Sequence, residues 1–150
     1  MKLVVQNVTQ ASVNIANQEH ARIARGFLVL VGFTAGDDLN ILTKMADKLL
    51  TIRVFDDSNG KTNLSINDIN GEILLVSQFT LYANFKEGRR PSFTDALPGP
   101  VSKPLYEQFI AILNQKFPKG IKTGVFGADM QCALINDGPV TILLDSHKEF

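Results

Sequence analysis

Apolar residues along this chain come in short runs, and the spacing within each run separates strands from helices. "KLVVQNV" and "ASVNIA" read as two short strands with a Thr-Gln turn between them. In "ARIARGFLVLVGFT" the second half, 27–33, is a continuous apolar run of strand length, as expected for a strand buried on both faces. "TAGDDLN" is a turn in which Asp37 or Asp38 can cap a helix. Apolar positions 39, 42, 45, 46, 49 and 50 then recur at helical spacing and predict a helix over Leu39–Thr51. "TIRVFDD" predicts a strand, and "SNGKTN" a loop with an Asn-Gly turn. "GEILLVSQFTLYA" predicts a long strand carrying polar Ser77 and Gln78 in its middle.

"NFKEGRRPSFTDALPGPVSKP" follows, with two glycines and four prolines, and predicts a long irregular segment of the kind that carries function or is disordered. Ser102 can cap the next helix, and Pro104 is tolerated in a first turn. Leu105, Phe109, Ile112 and Leu113 give that helix one apolar face. "TGVFGADMQCALI" and "GPVTILLDS" predict closing strands. The sum is roughly seven strands and two helices. Strands mostly follow strands, which predicts an α+β fold with a largely antiparallel, barrel-like sheet and two main helices, in a single domain over 1–150.

One break in this pattern stands out. In "CALINDGPVTILLD" the flanks 132–135 and 140–144 read as strand, yet Asn136, Asp137, Gly138 and Pro139 between them disfavour strands or form turns. Either this is a turn between two strands, or Gly-Pro is presented to something. Trans is the default for an X-Pro bond. A cis Gly-Pro in a tight turn would aim the Gly138 and Pro139 carbonyls to one side, where two fixed acceptors could grip an ammonium group.

Composition narrows the function classes. With 150 residues and 45% apolar residues, the chain supports a real core. No apolar run reaches the roughly 18–20 residues that span a bilayer, and "MKLVVQNVTQ" turns polar too early for a signal peptide. No membrane partner is expected, and the cytoplasm is the expected compartment. Cys132, the single cysteine, rules out an internal disulfide framework and reads as a small buried residue. Formal net charge is zero, which gives no global pull toward nucleic acid and argues against a non-specific RNA or DNA binder, while leaving room for a local basic patch.

Familiar catalytic kits are missing. His20 sits in a polar turn and His147 in the C-terminal tail. No CxxC, HExxH, clustered acidic spacing or glycine-rich phosphate loop occurs, so no metal and no cofactor are expected. Polar interruptions remain. Ser77, Gln78 and Thr80, inside an apolar strand, must find hydrogen-bond partners or meet water. They mark a sheet edge, a bulge, or a pocket floor with backbone N–H groups aimed at a ligand. Thr80 would need an activating base to act as a nucleophile, and none is evident. "KEGRRPSF" places Lys86, Arg89 and Arg90 beside turn residues near Phe93, as a solvated surface or a local phosphate clamp.

"VSQFTLYA", "GRRPSF", "FGADMQ" and "NDGPVT", in this order, closely resemble the D-aminoacyl-tRNA deacylase (D-tyrosyl-tRNA deacylase) family of the bacterial and eukaryotic type. The likeness runs from "VVQNVTQASV" to "LLDS", nearly the whole chain. It implies a homodimer of barrel-like subunits acting on aminoacyl-tRNA, with no DNA partner. It implies hydrolysis of D-amino acids ester-linked to the 3′ end of tRNA, and of glycyl-tRNA. By the same likeness, Gly138 and Pro139, joined by a cis bond, reach into the partner subunit's pocket as a chirality filter that rejects L side chains by clash. Ser77, Gln78, Phe79 and Thr80 line the pocket. Backbone N–H groups near Phe79 and Thr80 stabilise the oxyanion, the terminal ribose 2′-hydroxyl assists, and Thr80 positions rather than attacks. Phe126 and Met130 receive the terminal adenosine, and Arg89 and Arg90 contact tRNA phosphates. One departure stands out: the family usually reads "QRVT" where this chain reads "QNVT". Asn7 cannot make the fork of hydrogen bonds with which arginine helps hold the Gly-Pro. Two alternatives follow: an editing deacylase with relaxed chirality acting on L-aminoacyl-tRNA, and a non-catalytic dimeric tRNA-binding module.

Overall fold

The computed structural model describes residues 1–148. Its spine is β1 (Lys2–Ile15), one unbroken strand where two were expected. The polar Thr9 and Gln10 that suggested a turn are exposed, and the register shifts there instead. Along one edge β1 pairs antiparallel with β3 (Gly26–Gly32) and then β2 (Gln18–Ile23). Along its other edge it pairs antiparallel with β8 (Gln131–Asp145). Polarity at Thr9 and Gln10 therefore marks a change of neighbour and a bulge, not a chain reversal.

The helices account for a correction to the sheet. β3 runs parallel to β6 (Glu72–Ser77), and β6 runs parallel to the short β7 (Lys122–Thr123). The sheet is thus mixed rather than largely antiparallel. Parallel neighbours need long crossovers. Helix α1 (Leu39–Thr51), followed by the small hairpin of β4 (Phe55–Asp56) and β5 (Thr62–Leu64), supplies one, and helix α2 (Gly99–Lys116) supplies the other.

Alternation within β6 builds a core on each face of the sheet. Leu75 packs with Phe27, Val29, Leu42, Met45, Leu49, Phe109 and Leu113 under the helices. Leu74 and Val76 pack with Val8, Val13, Ile23 and Leu28 on the other face, where the sheet curls toward itself. Helix α1 has the expected bounds, and the Asp38 side chain accepts from the Ile41 N–H at 2.9 Å. Helix α2 starts earlier than expected, with Pro98 at its N-cap, because Pro100 tolerates a first turn whose N–H groups have no helical partner. Ser102 is therefore not the cap. It is buried in that turn, with its hydroxyl 3.4 Å from the Gly99 carbonyl. Among the described residues, no helix is long and apolar enough to cross a membrane.

Candidate functional site

The site begins where β6 ends. Ser77 is the last paired residue, opposite Val31, and the Gln78 N–H donates to the Val31 carbonyl at 2.7 Å. The expected long strand stops here and becomes a 3₁₀ turn, Phe79–Tyr82. The first donors into that turn are Leu81, to the Gln78 carbonyl, and Ala83, to the Thr80 carbonyl. The N–H groups of Phe79 and Thr80 come before the first turn closes, as at any helix start. The Gln78 side-chain amide donates to the Thr80 hydroxyl.

A cleft of about 670 Å³ opens beside this turn. That is large enough to enclose a whole small molecule. The ends of β3 and β6, the approach to α2 and the segment ahead of β8 form its walls. Ser77, Gln78, Phe79, Phe126 and Met130 all line it, as do Phe93, Leu97, Pro98, Gly99 and Ser102. Phe126 is braced against Tyr106, with ring centroids 5.6 Å apart. The Tyr106 hydroxyl donates to the Leu75 carbonyl at 3.3 Å, and burial pushes its pKa up to about 12. It is therefore a fixed donor and not a base at neutral pH. Met130 lies on Gly124, where an added Cβ would stand 2.6 Å from its sulfur. The stretch expected as one strand over 123–135 is thus mostly a loop, and this loop forms the Phe126 to Met130 wall. Asp129 is the single carboxylate in the walls, and neither His20 nor His147 lines them. Among the described residues, no group of three or more His, Cys, Asp or Glu could hold a metal ion.

Four predicted residues lie elsewhere. Arg89 and Arg90 are exposed at the tip of a hairpin closed by the Asn84–Ser92 bridge. Gly138 and Pro139 are exposed and do not line the cleft of their own chain. Strand β8 is continuous across "NDGP", so the break is neither a turn nor a strand end. Asn136 pairs with Val8 and Thr141 with Gln6, so five steps along β8 face two along β1. The surplus is extruded as a bulge. Gly138 has φ +120°, and the Gly138–Pro139 bond is cis. The Asn136 amide clamps the base of the bulge by donating to the Asn7 carbonyl at 2.9 Å and the Val140 carbonyl at 3.0 Å. Asn7 itself is buried, and its side-chain amide donates to the Val54 carbonyl at 2.7 Å, away from the bulge. Its Oδ1 is buried without a partner.

Sequence reasoning missed Phe93, the 97–99 approach to α2, and Cys132. The proline-rich segment signalled function, but nothing in it told which residues face inward. Cys132 was expected to be buried. It is exposed at the start of β8, on the cleft wall, and partial desolvation raises its thiol pKa.

This fold, with a roomy and largely uncharged cleft, is that of a deacylase. The eukaryotic structure described as a probable D-amino acid tRNA deacylase superposes with a TM-score of 0.82 over 95% of this chain and 97% of that one, at 18% identity, a likeness of fold alone. The c-Myc DNA unwinding element binding protein superposes more closely, with a TM-score of 0.92 at 43% identity over 97% of this chain and 98% of its own. Residues 4–145 match the family model described as D-Tyr-tRNA(Tyr) deacylase, and the chain belongs to that family of hydrolases. The D-aminoacyl-tRNA deacylase of Cytophaga hutchinsonii is 54% identical over 99% of both chains. That of Thermosipho africanus is 46% identical over the full length of both.

Proposed function

We propose that this chain hydrolyses the ester bond of D-aminoacyl-tRNA, and of glycyl-tRNA, releasing free amino acid and tRNA, and that it works as a homodimer. The observation that carries the reading is the pairing of an open cleft at the end of β6 with a Gly-Pro bulge that stands exposed, outside its own cleft. In the working dimer, the bulge of one subunit enters the cleft of the other. The Gly138 and Pro139 carbonyls accept from the substrate's α-ammonium group. Fixing that group fixes the directions around Cα, so a D side chain points to open space and an L side chain meets the wall. Glycine has nothing to clash.

The chemistry follows from what lines the cleft. The N–H groups of Phe79 and Thr80 donate to the carbonyl oxygen as it becomes an oxyanion. Water attacks the carbonyl carbon with help from the ribose 2′-hydroxyl, the ester C–O bond breaks, and the proton passes to the departing 3′-oxygen. Ser77 and Gln78 shape the floor, and Gln78 orients Thr80. Phe126 and Met130 hold the terminal adenosine, while Arg89 and Arg90 meet tRNA phosphates. Support for the dimer comes from β8, a 15-residue strand whose second edge has no partner in this chain and which exposes Ile135 and Leu143.

The test is hydrolysis of matched D-Tyr-tRNA, L-Tyr-tRNA and Gly-tRNA with a chelator present. Rapid loss of the D and glycyl esters, with the L ester spared, is expected. Cleavage of the L ester as well would move the reading to a relaxed editing enzyme, the outcome that Asn7 in place of arginine keeps open. Binding of tRNA without cleavage of any ester would leave a non-catalytic module.

A further inference from the structure

We infer that the edge-on pair Phe79–Phe93, with the basic hairpin beside it, is a stacking platform for the unpaired RNA strand that leads to the esterified nucleotide. The inference rests on the deacylase reading and adds a surface to it. The two rings meet with centroids 4.9 Å apart at an interplanar angle of 67°. Both line the cleft, yet Phe79 is 56% exposed and Phe93 37% exposed, so they form its rim. Phe85, in the same stretch of chain, is 57% exposed.

Single exposed apolar residues need no explanation, but three exposed phenyl rings within 79–93 form a concentration that does. The rings fit one chemistry, since every nucleobase has a π-face and stacks on an aromatic ring whatever its identity. The charge beside them fits the same occupant. The hairpin carries Lys86, Arg89 and Arg90 against Glu87, a local positive excess on a chain whose net charge is zero. Stacking rings next to cations match a single strand of bases and phosphates. The esterified nucleotide fills the cleft, and the strand that precedes it leaves across this rim.

The test compares D-Tyr-tRNA with D-tyrosyl-adenosine, which has no preceding nucleotides, for the parent protein, Phe93→Leu and Phe93→Trp. Loss of one stacked base costs on the order of tenfold in affinity. Phe93→Leu should therefore lose about tenfold more kcat/KM on the tRNA than on the nucleoside ester, mainly through KM, and Phe93→Trp should recover it. A short RNA ending in CCA, with 2-aminopurine replacing the penultimate base, should lose fluorescence on binding the parent and not Phe93→Leu. Equal losses on both esters, or quenching unchanged by Phe93→Leu, would overturn the inference. So would a change in oligomeric state caused by Phe93→Leu, which would assign the rim to a second copy of the chain. If the parent cleaves neither ester, the deacylase reading fails, and the quenching alone decides whether the rim stacks RNA.

Discussion

Thr80 stands beside the cleft rather than in its wall, and its hydroxyl is held by the Gln78 amide. Thr80→Ala should therefore lower turnover only about tenfold, through lost positioning. A loss approaching the ~10⁶-fold that follows deletion of a true nucleophile would contradict this. At the bulge, Gly138→Ala is a poor probe. An added Cβ would lie 2.7 Å from the Val140 Cγ2 atom, at a φ that L residues rarely adopt, so the variant disturbs its own chain before it reaches a neighbour. Asn136→Ala is cleaner, because it removes two hydrogen bonds and leaves the backbone sequence of the bulge intact. It should narrow the ratio of D-Tyr-tRNA to L-Tyr-tRNA hydrolysis. An unchanged ratio would mean that the position of the bulge does not set discrimination. These residues differ in how far sequence exposes them. Ser77 to Phe79, Phe126 and Met130 announce themselves as polar or irregular breaks in apolar runs. Phe93 and Ser102 reach the same cleft from other stretches, and only the tertiary fold brings those stretches together.

Elements followed the pattern wherever one neighbour decided it. Helix α1 is legible to the residue because one apolar stripe and one cap fix it. The strands are less so. β6 was read too long because its apolar run continues into Phe79, Leu81 and Tyr82, which pack as a 3₁₀ turn. β8 was read as broken because a bulge and a turn use the same residues. The close approach of β3 to β6 gives a direct test. A Cβ on Gly26 would fall 1.8 Å from the Glu72 carbonyl oxygen, which is backbone and cannot swing aside. Gly26→Ala should cost about 3 kcal/mol or more, read as a lower urea midpoint; an unchanged midpoint would refute the packing. The loops around β5 carry a pH dependence. Asp57 accepts from the Asn59 and Lys61 N–H groups, and Asp68 from the Ser65 N–H and hydroxyl, which lowers both carboxyl pKa values. A carboxylate with a lowered folded pKa stabilises above its unfolded value, roughly pH 4, and that stability is lost as pH falls through the folded value. The Asp57→Asn/Asp68→Asn double variant should start less stable at pH 5 and lose less between pH 5 and pH 3 than the parent. Parallel losses would contradict this assignment.

For the whole molecule, the α+β class and the barrel-like sheet were legible, but the direction of two strand pairings was not. Runs of apolar residues fix burial, whereas parallel pairing depends on where a crossover returns. The cleft and the bulge come from opposite ends of one sheet, and the account requires them to meet between two copies. The most direct test mixes two variants. One has its cleft filled by Ala96→Trp, with an intact bulge, and the other has a loosened bulge from Asn136→Ala, with an intact cleft. After subunit exchange in equal amounts, half of the dimers are mixed, and each mixed dimer joins an intact cleft to an intact bulge at one of its two sites. The account predicts D-Tyr-tRNA hydrolysis at about a quarter of the parent's rate, well above either variant alone. Activity no greater than the average of the two unmixed variants would mean that each cleft works without its partner's bulge, and would contradict the account.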